Sequence, residues 1–204
     1  MTKKKKTSAF VERVLKLVES DAQLARHMPN ADLWEGLKDT SLPLADRIDN
    51  LLSGYGDRPA LGERAYRLEN KKDNGQLTRV YDNAFDAISY SDLRDRIRSV
   101  AATWTTQDKF RVNSDDLVCM MGFAGIDYAA LDIACIYVQA VSVPIQANYG
   151  FEVLKGMLEK VEPTVLATTA SDLDMAVRLA TVVPSLRSLI VFDYDDQDLS
   201  LIHI

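Results

Sequence analysis

The sequence contains only two histidines, and this scarcity excludes several kinds of catalytic site. His27 lies in the N-terminal segment and His203 lies near the other end. A Ser-His-Asp triad or a histidine-bearing metal centre needs a histidine close to its partner side chains. The sequence therefore predicts neither of these arrangements.

Cysteine is equally scarce, and long apolar runs are missing. Cys119 lies in a predicted strand and Cys135 in a predicted helix, so we expect two buried thiols that act as small hydrophobic side chains. The longest apolar stretch, 128–145, is interrupted by polar residues and proline, and it is shorter than the roughly 20 residues that cross a bilayer. No signal-peptide core is present, so the sequence predicts a cytoplasmic chain without a membrane span.

Clustered positive charge is also rare. The formal net charge is −6, and the basic cluster of the sequence is Lys3–Lys6, which has no aromatic residue beside it before Phe10. Nucleic-acid binding needs a basic surface, so we expect no nucleic-acid partner. For the lysine run itself, a solvated tail is favoured over a membrane or nucleic-acid arm.

Four short apolar runs dominate the second half of the chain. They begin at Leu117, Val141, Thr164 and Leu189, and each gap between them holds a segment of helix length. Such a repeat of strand and helix is typical of a parallel sheet with crossover helices. The fold class is therefore predicted to be α/β, with a helical cap and a β-hairpin before the parallel sheet.

The first part of the chain is predicted to be helical. Apolar residues at helical spacing indicate a helix over Ser8–His27. Further helices are expected over Ala31–Lys38 and over Leu44–Leu52, which follows Pro43. Gly54-Tyr55-Gly56 is read as a turn that ends this helical cap, which we assign to residues 1–56.

A β-hairpin and an amphipathic helix are predicted next. The strands Ala60–Glu69 and Leu77–Tyr81 flank Asn74-Gly75, a strong hairpin signal. A third strand, Ala87–Tyr90, leads to a helix with Ser91 as its N-cap. The apolar stripe of that helix comprises Leu93, Ile97, Val100, Ala101 and Trp104, and its exposed face offers Asp92 and Arg96 as an ion pair.

The candidate sites for chemistry are weak when taken one by one. Gly122-Phe123-Ala124-Gly125 follows the first parallel strand, where a phosphate loop would lie. It has neither the three-glycine pattern of dinucleotide-binding proteins nor the Gly-Lys-Ser/Thr ending of a P-loop. A turn without ligand is favoured, and the helix Asp127–Gln139 is expected to be buried. The acidic run Asp193, Asp195, Asp196 and Asp198 lacks the features of a calcium loop and is read as a solvated turn. No catalytic, cofactor-binding or metal-binding residue is assigned within 1–204.

Taken together, several segments resemble the start of an adenylate-forming (AMP-binding) domain, and in particular that of carboxylic acid reductases. The segments of the superfamily are Asp57–Gly62, Ile88–Leu93, Ala140–Pro144 and Glu162–Val165. Those closer to the reductases are Gly122-Phe123, Asp127-Tyr128, Gln146 and Val191–Tyr194. The resemblance extends from about Phe10 to Asp196. Gln139 departs from it, because the family has glycine there as a left-handed helix cap.

The resemblance implies an enzyme that activates a carboxylic acid with ATP and Mg²⁺, passes it to a phosphopantetheine thiol and reduces it with NADPH. It also implies carrier and reductase domains later in the same chain. The family's phosphate loop, magnesium glutamate, ribose-binding aspartate and adenylating lysine are expected beyond residue 204, so none of these cofactors is expected to bind these residues alone. We assign 57–198 to a partial adenylation domain and 199–204 to a non-native tail.

Three alternatives stay open at this point. Within the same superfamily, the chain could belong to an acyl-CoA ligase or to the adenylation domain of a peptide synthetase. From another class, it could be a small flavodoxin-like binding protein.

Overall fold

The computed structural model describes residues 8–70 and 77–194. The chain divides between Arg58 and Pro59 into two compact units. The first unit contains the helices α1 (Ala9–Ser20), α2 (Ala22–His27), α3 (Ala31–Leu37) and α4 (Leu44–Tyr55). The helices of the second unit are α5 (Tyr90–Thr106), α6 (Ile126–Val138), α7 (Phe151–Val161) and α8 (Leu173–Ala180). Its strands are β1 (Pro59–Asn70), β2 (Leu77–Ser89), β3 (Leu117–Met121), β4 (Val141–Ile145), β5 (Val165–Thr169) and β6 (Ser188–Phe192).

The first helix is shorter than the sequence predicts. The prediction of one helix over Ser8–His27 is wrong, because the chain becomes extended at Asp21. The Asp21 carboxylate accepts hydrogen bonds from the backbone amides of Gln23 and Leu24. An aspartate that satisfies the free amides of a helix start favours a new N-terminus at its own position. Two helices therefore replace the predicted one.

Helix α4 continues past its predicted end at Leu52. Gly54 lies inside this helix and does not break it, as the sequence had suggested. A Cβ atom at Gly54 would lie 2.3 Å from Cδ2 of Leu33, so the glycine allows α3 to approach α4 closely. The helix ends at Gly56, whose φ of 51° belongs to the left-handed region that favours glycine.

The second unit begins with a long antiparallel ribbon of β1 and β2. The predicted hairpin turn at Asn74-Gly75 lies outside the described residues. The separate strand predicted over Ala87–Tyr90 is wrong, since β2 continues without interruption to Ser89. Register shifts near Pro59 and between Arg64 and Tyr66 mark bulges, which bend such a ribbon while the pairing continues.

The N-cap of helix α5 lies two residues before the predicted cap at Ser91. Ser89 is the N-cap, and its hydroxyl and the Asp92 carboxylate form a reciprocal capping box. Of the predicted apolar stripe, Val100 is half-buried and the other four residues are buried. The Asp92 carboxylate serves the cap, and the hydrogen bonds from Ser89 lower its pKa. The predicted pairing of Asp92 with Arg96 remains as a charge interaction that helps to lower this pKa, while Arg96 donates to Asp127 at 2.7 Å.

The four apolar runs form one parallel sheet in the order β4-β3-β5-β6. The predicted α/β fold is confirmed. Helices α6, α7 and α8 connect the successive strands. One hydrophobic core cluster joins the sheet to α7 and α8, and its buried residues are Cys119, Met121, Leu154, Leu158, Leu166, Ala176, Leu179 and Val183.

Within 8–70 and 77–194, no helix is both long enough and apolar enough to span a membrane.

Candidate functional site

The carboxyl ends of β3, β5 and β6 meet at one edge of the parallel sheet. The chain leaves β3 for β4 on one side, whereas β5 lies on the other side of β3. Ligands of open α/β sheets bind where the strand order reverses in this way. The turn 122–125 after β3 and the short 3-10 turn Ala170–Asp172 after β5 flank this point. Two cavities, of about 380 Å³ and about 730 Å³, open beside these turns.

The turn after β3 is held tightly by its neighbours. A Cβ atom at Gly122 would lie 2.7 Å from the Phe192 ring and 2.9 Å from Cγ2 of Thr169. A Cβ atom at Gly125 would lie 2.6 Å from Oε1 of Glu63. Both glycines therefore have a packing role within the protein itself.

The N-terminus of α6 faces a carboxylate of the same chain. The backbone amide of Ile126 donates to Oε1 of Glu63 at 2.5 Å. Free amides at a helix start, together with the helix dipole, normally make this position attractive to phosphate groups. Here the carboxylate from β1 takes that place, so the amide is already satisfied.

An ionic network ties the end of β6 to α5 and α6. Asp127 accepts from Nη1 of Arg96 at 2.7 Å through Oδ1 and from the amide of Asp193 at 3.3 Å through Oδ2. Oδ1 of Asp193 accepts from the amide of Ala170 at 2.8 Å. Asp193 itself has a φ of 60°. The network thus holds the chain in a left-handed turn directly after β6.

The first cavity, of about 380 Å³, is acidic. Glu63, Asp127 and Asp193 line it together with a single cation, Arg96, so its formal charge is −2. Its apolar lining includes the Tyr128 and Phe192 rings, which meet edge to face with centroids 5.9 Å apart. The low polarity around Tyr128 raises the pKa of its hydroxyl, and the nearby Asp132 carboxylate adds to this effect.

The second cavity, of about 730 Å³, has aromatic, aliphatic and amide walls. Its lining residues are Gly122, Phe123, Tyr128, Pro144, Ile145, Gln146, Ala147, Asn148, Ser171 and Asp172. The one charged side chain among them is Asp172, whose Oδ2 accepts from the Thr169 hydroxyl at 2.8 Å. No lysine or arginine is among these lining residues. Such walls suit an uncharged or amphipathic group better than a phosphate.

Comparison with known proteins identifies the family. A family model described as AMP-binding enzyme matches residues 67–202. The chain belongs to the AMP-binding enzyme family. This assignment favours the predicted adenylate-forming fold over the flavodoxin-like alternative.

Carboxylic acid reductases are among the curated relatives of this chain. The carboxylic acid reductase of Segniliparus rugosus is 35% identical over 186 residues, which cover 91% of this chain and 16% of that enzyme. The chain therefore spans about a sixth of the length of this curated relative.

Two solved structures of AMP-binding enzymes agree with this relationship. The A-PCP didomain of the Segniliparus rugosus enzyme, determined in complex with AMP, has a TM-score of 0.87 at 34% identity, with 96% of this chain and 28% of that one covered. The adenylation domain of a Mycobacterium chelonae carboxylate reductase has a TM-score of 0.81 at 32% identity, with coverages of 98% and 32%. The predicted resemblance to the adenylation domain of carboxylic acid reductases is confirmed.

The described residues that line the first cavity fit the phosphates of ATP poorly. The Ile126 amide at the helix start after β3 already donates to Glu63, and the first cavity carries negative charge. Within the described part of the chain, no group of three histidine, cysteine, aspartate or glutamate side chains is placed to hold a metal ion. Nucleotide phosphates bind to cationic side chains or free backbone amides. Mg²⁺ binds to oxygen ligands such as clustered carboxylates.

The other residues singled out from the sequence do not line these two cavities or lie outside the described residues. His27 lies on α2 in the first unit, whereas His203, Asp195, Asp196 and Asp198 lie outside the described residues. Cys119 and Cys135 are buried and unpaired with each other, as predicted. The prediction that the helix after Gly125 lines no site is wrong for its first turn, since Asp127 and Tyr128 face the cavities.

Several residues of the site were not assigned to it from the sequence. Glu63, Arg96, Thr169 and Asp172 come from four separate elements and meet only through the fold. A spacing rule along one element cannot find such contacts. The one available signal was position, because Thr169, Asp172 and Asp193 follow predicted strand ends, where ligand sites of parallel sheets lie.

Proposed function

We propose that this chain is part of a carboxylic acid reductase. The observation that carries the proposal is the similarity over nine-tenths of the chain to such enzymes, in sequence and in fold. The AMP bound to the Segniliparus rugosus relative supports adenylation of a carboxylic acid as the first step. The chain covers a small part of each relative, so the activity of the complete enzyme is proposed here by similarity.

The proposed reaction begins with a carboxylate and ATP, which give an acyl-adenylate and pyrophosphate. The acyl group then passes to the thiol of a phosphopantetheine carrier, and AMP leaves. NADPH transfers a hydride to the thioester, with a proton, to release an aldehyde and the free thiol. Activation is needed because a carboxylate becomes a good electrophile only when one of its oxygens can leave, here with AMP.

The 204 residues contribute a structural part of the adenylation domain in this proposal. The parallel sheet places turns 122–125 and 170–172 at its carboxyl edge, and the Glu63 and Asp127 bonds hold that edge. ATP, Mg²⁺, phosphopantetheine and NADPH are assigned to the complete enzyme and to none of the described residues. The division into a cap over 1–56, a partial domain over 57–198 and a non-native tail over 199–204 stays a prediction.

A grafted enzyme tests the proposal. The matching 186 residues of the Segniliparus rugosus enzyme are replaced by the corresponding residues of this chain. The graft should catalyse pyrophosphate exchange into ATP that depends on added carboxylic acid. With the carrier primed by phosphopantetheine, it should also oxidise NADPH and form an aldehyde.

Two controls make the result interpretable. The Segniliparus rugosus enzyme with the same residues deleted should be inactive, and the unmodified enzyme gives the reference rate. Circular dichroism and a cooperative melting transition establish that the graft is folded. A folded graft without acid-dependent exchange would contradict an adenylation role. Exchange without aldehyde formation would instead restrict the proposal to an acid-activating enzyme.

A further inference from the structure

The turn after β5 is a wall that the two cavities share. Ser171 lines both cavities, and Asp172 lines the second. Thr169, the buried last residue of β5, donates from its hydroxyl to Oδ2 of Asp172 at 2.8 Å, and the same hydroxyl oxygen lies 2.9 Å from Oγ of Ser171. The position of turn 170–172 therefore helps to set the shape of both cavities.

A carboxylate from the neighbouring strand holds the first residue of this turn. Strands β5 and β6 pair in parallel, with Thr169 opposite Phe192. Asp193 follows directly, and its Oδ1 accepts from the backbone amide of Ala170 at 2.8 Å. The backbone amide of Asp193 donates in turn to Oδ2 of Asp127, on α6, at 3.3 Å. The turn is thus fixed to the end of β6 and, through it, to α6.

The backbone conformation of Asp193 favours a different residue. Its φ of 60° lies in the left-handed region, which glycine adopts without the cost that a side chain brings. Glycine, however, has no oxygen in a side chain that could accept from Ala170. Strained backbone positions that the surrounding structure holds in place are typical of functional sites. The combination points to a function of the carboxylate at this turn.

We infer that Asp193 is a positioning residue, which holds turn 170–172 against a substrate group in the second cavity. The inference rests on the proposed function and adds a residue to it. The walls of that cavity suit an uncharged chain, which in the proposed reaction is either the body of the carboxylic acid or the pantetheine arm of the carrier. Asp193 does not line this cavity and acts through Ser171 and Asp172. A displaced turn would misplace the bound chain, and small misplacements slow a reaction strongly.

Matched replacements separate the placement of the turn from the stability of the fold. Asp193→Asn keeps an oxygen that accepts from Ala170, and asparagine tolerates the left-handed conformation. Asp193→Gly removes the acceptor and relieves the backbone, and these two changes affect stability in opposite directions. Glu162→Gly is the control, because Glu162 has a φ of 53° and lines neither cavity. In all three variants a cooperative urea transition establishes that the chain is folded.

The first measurement is hydrogen exchange of the Ala170 amide in the 204-residue chain, by mass spectrometry of short peptides. In Asp193→Gly this amide should exchange at least about tenfold faster than in the unaltered chain, because the carboxylate that protects it is gone. In Asp193→Asn and Glu162→Gly it should exchange at about the native rate. This measurement needs no enzyme activity and so does not depend on the proposed function.

The second measurement uses the grafted enzyme, with Asp193 inside the grafted segment. If the cavity holds the acid, Asp193→Gly should raise the KM for the acid in pyrophosphate exchange about tenfold. If it holds the carrier arm, exchange should be unchanged, and NADPH oxidation at saturating acid should slow about tenfold. Asp193→Asn and Glu162→Gly should match the unaltered graft in both assays.

Two results would overturn the inference. One is an Ala170 amide that exchanges no faster in Asp193→Gly than in the unaltered chain. The other is an active graft in which Asp193→Gly changes neither the KM for the acid nor the rate of NADPH oxidation. An unaltered graft without any exchange would contradict the proposed function instead, and the hydrogen exchange of Ala170 would still decide whether Asp193 holds the turn.

Discussion

At the scale of single residues, four non-glycine residues of the second unit have a left-handed backbone conformation, and each lies next to the start or end of an element. Asp115 precedes β3, Gln139 follows α6, Glu162 follows α7 and Asp193 follows β6, and each has a φ between 53° and 67°. A left-handed conformation costs most L-residues about 1 kcal/mol. These positions therefore carry strain that glycine would not carry.

Replacing Gln139 with glycine should stabilise the protein by roughly 1 kcal/mol, because the C-cap of α6 has a φ of 60° and a ψ of 26°. The midpoint of urea denaturation measures the change. The matched control is Gln107→Gly, since Gln107 caps α5 at a φ of −103° and glycine there should lower stability. Equal effects at the two sites would contradict the assigned strain.

The two cysteines should be unreactive in the folded protein. Burial raises the pKa of the Cys119 thiol to about 12, and burial with the nearby Asp132 does the same for Cys135. The reactive thiolate is therefore almost absent at neutral pH. A thiol reagent at pH 8 should modify neither residue until denaturant is added. Rapid modification of the native protein would show that one of the thiols is accessible.

The same shifts predict a loss of stability in alkali. Between the ordinary pKa of 9.0 and the folded value of about 12, thiols of the unfolded chain ionise while those of the folded chain stay protonated. Stability should therefore fall as the pH rises through this window. Serine replacement of both cysteines should remove that part of the slope.

At the scale of elements, the parallel strands were the part most readily predicted. Strands β3 and β4 begin at the predicted residues, whereas β5 begins one residue later and β6 one residue earlier than predicted. A strand buried on both faces is a continuous apolar run, so its sequence carries the signal. The break at Asp21 and the continuous β2 were missed. The break in the helix depends on whether the Asp21 side chain caps a new helix start. The continuity of β2 depends on its pairing with β1 across the register shifts.

The capping box of α5 gives a test at this scale. The Ser89 hydroxyl and amide bond the Asp92 carboxylate and hold its pKa below the ordinary value. Ser89→Ala should raise the pKa of Asp92, as measured by NMR titration of its carboxyl carbon, and should lower helix stability at neutral pH. Ser91→Ala, at the cap that the sequence suggested, should change both quantities little.

The effect of the cap should depend on pH with a defined sign. A lowered folded pKa means that the stabilisation is present above the ordinary pKa of 3.8 and is lost as the pH falls through the lower folded value. The difference in stability between the native protein and Ser89→Ala should thus shrink in strong acid. A difference that grows in acid would contradict the capping role.

At the scale of the whole molecule, the fold class and the place of the site were predictable, but the site's contacts were not. The order of strands and turns in the sequence indicated the carboxyl edge of the sheet. Glu63 contacts Ile126 from a strand 63 residues away in the sequence, and only the folded chain shows that its carboxylate accepts from the amide at the start of α6. Long-range contacts of this kind follow from tertiary packing, which has no periodic pattern.

The isolated chain should associate with itself at micromolar concentration. Within the described residues, β6 has a neighbouring strand on one side only, and Leu52 is the one buried residue of 8–58. An uncovered strand edge with apolar side chains recruits other chains. Analytical ultracentrifugation should show oligomers, which the grafted adenylation domain lacks. A monodisperse monomer with one cooperative melting transition would contradict this expectation.

The central claim is that these residues belong to an adenylating enzyme but do not themselves hold the nucleotide phosphates. Pyrophosphate exchange into ATP, measured with the purified 204-residue chain, Mg²⁺ and a panel of carboxylic acids, tests it most directly. The structure predicts no exchange above a boiled control, because Glu63 already bonds the Ile126 amide at the helix start after β3 and the adjacent cavity is acidic. Exchange that depends on added acid and is absent from the boiled protein would contradict the account.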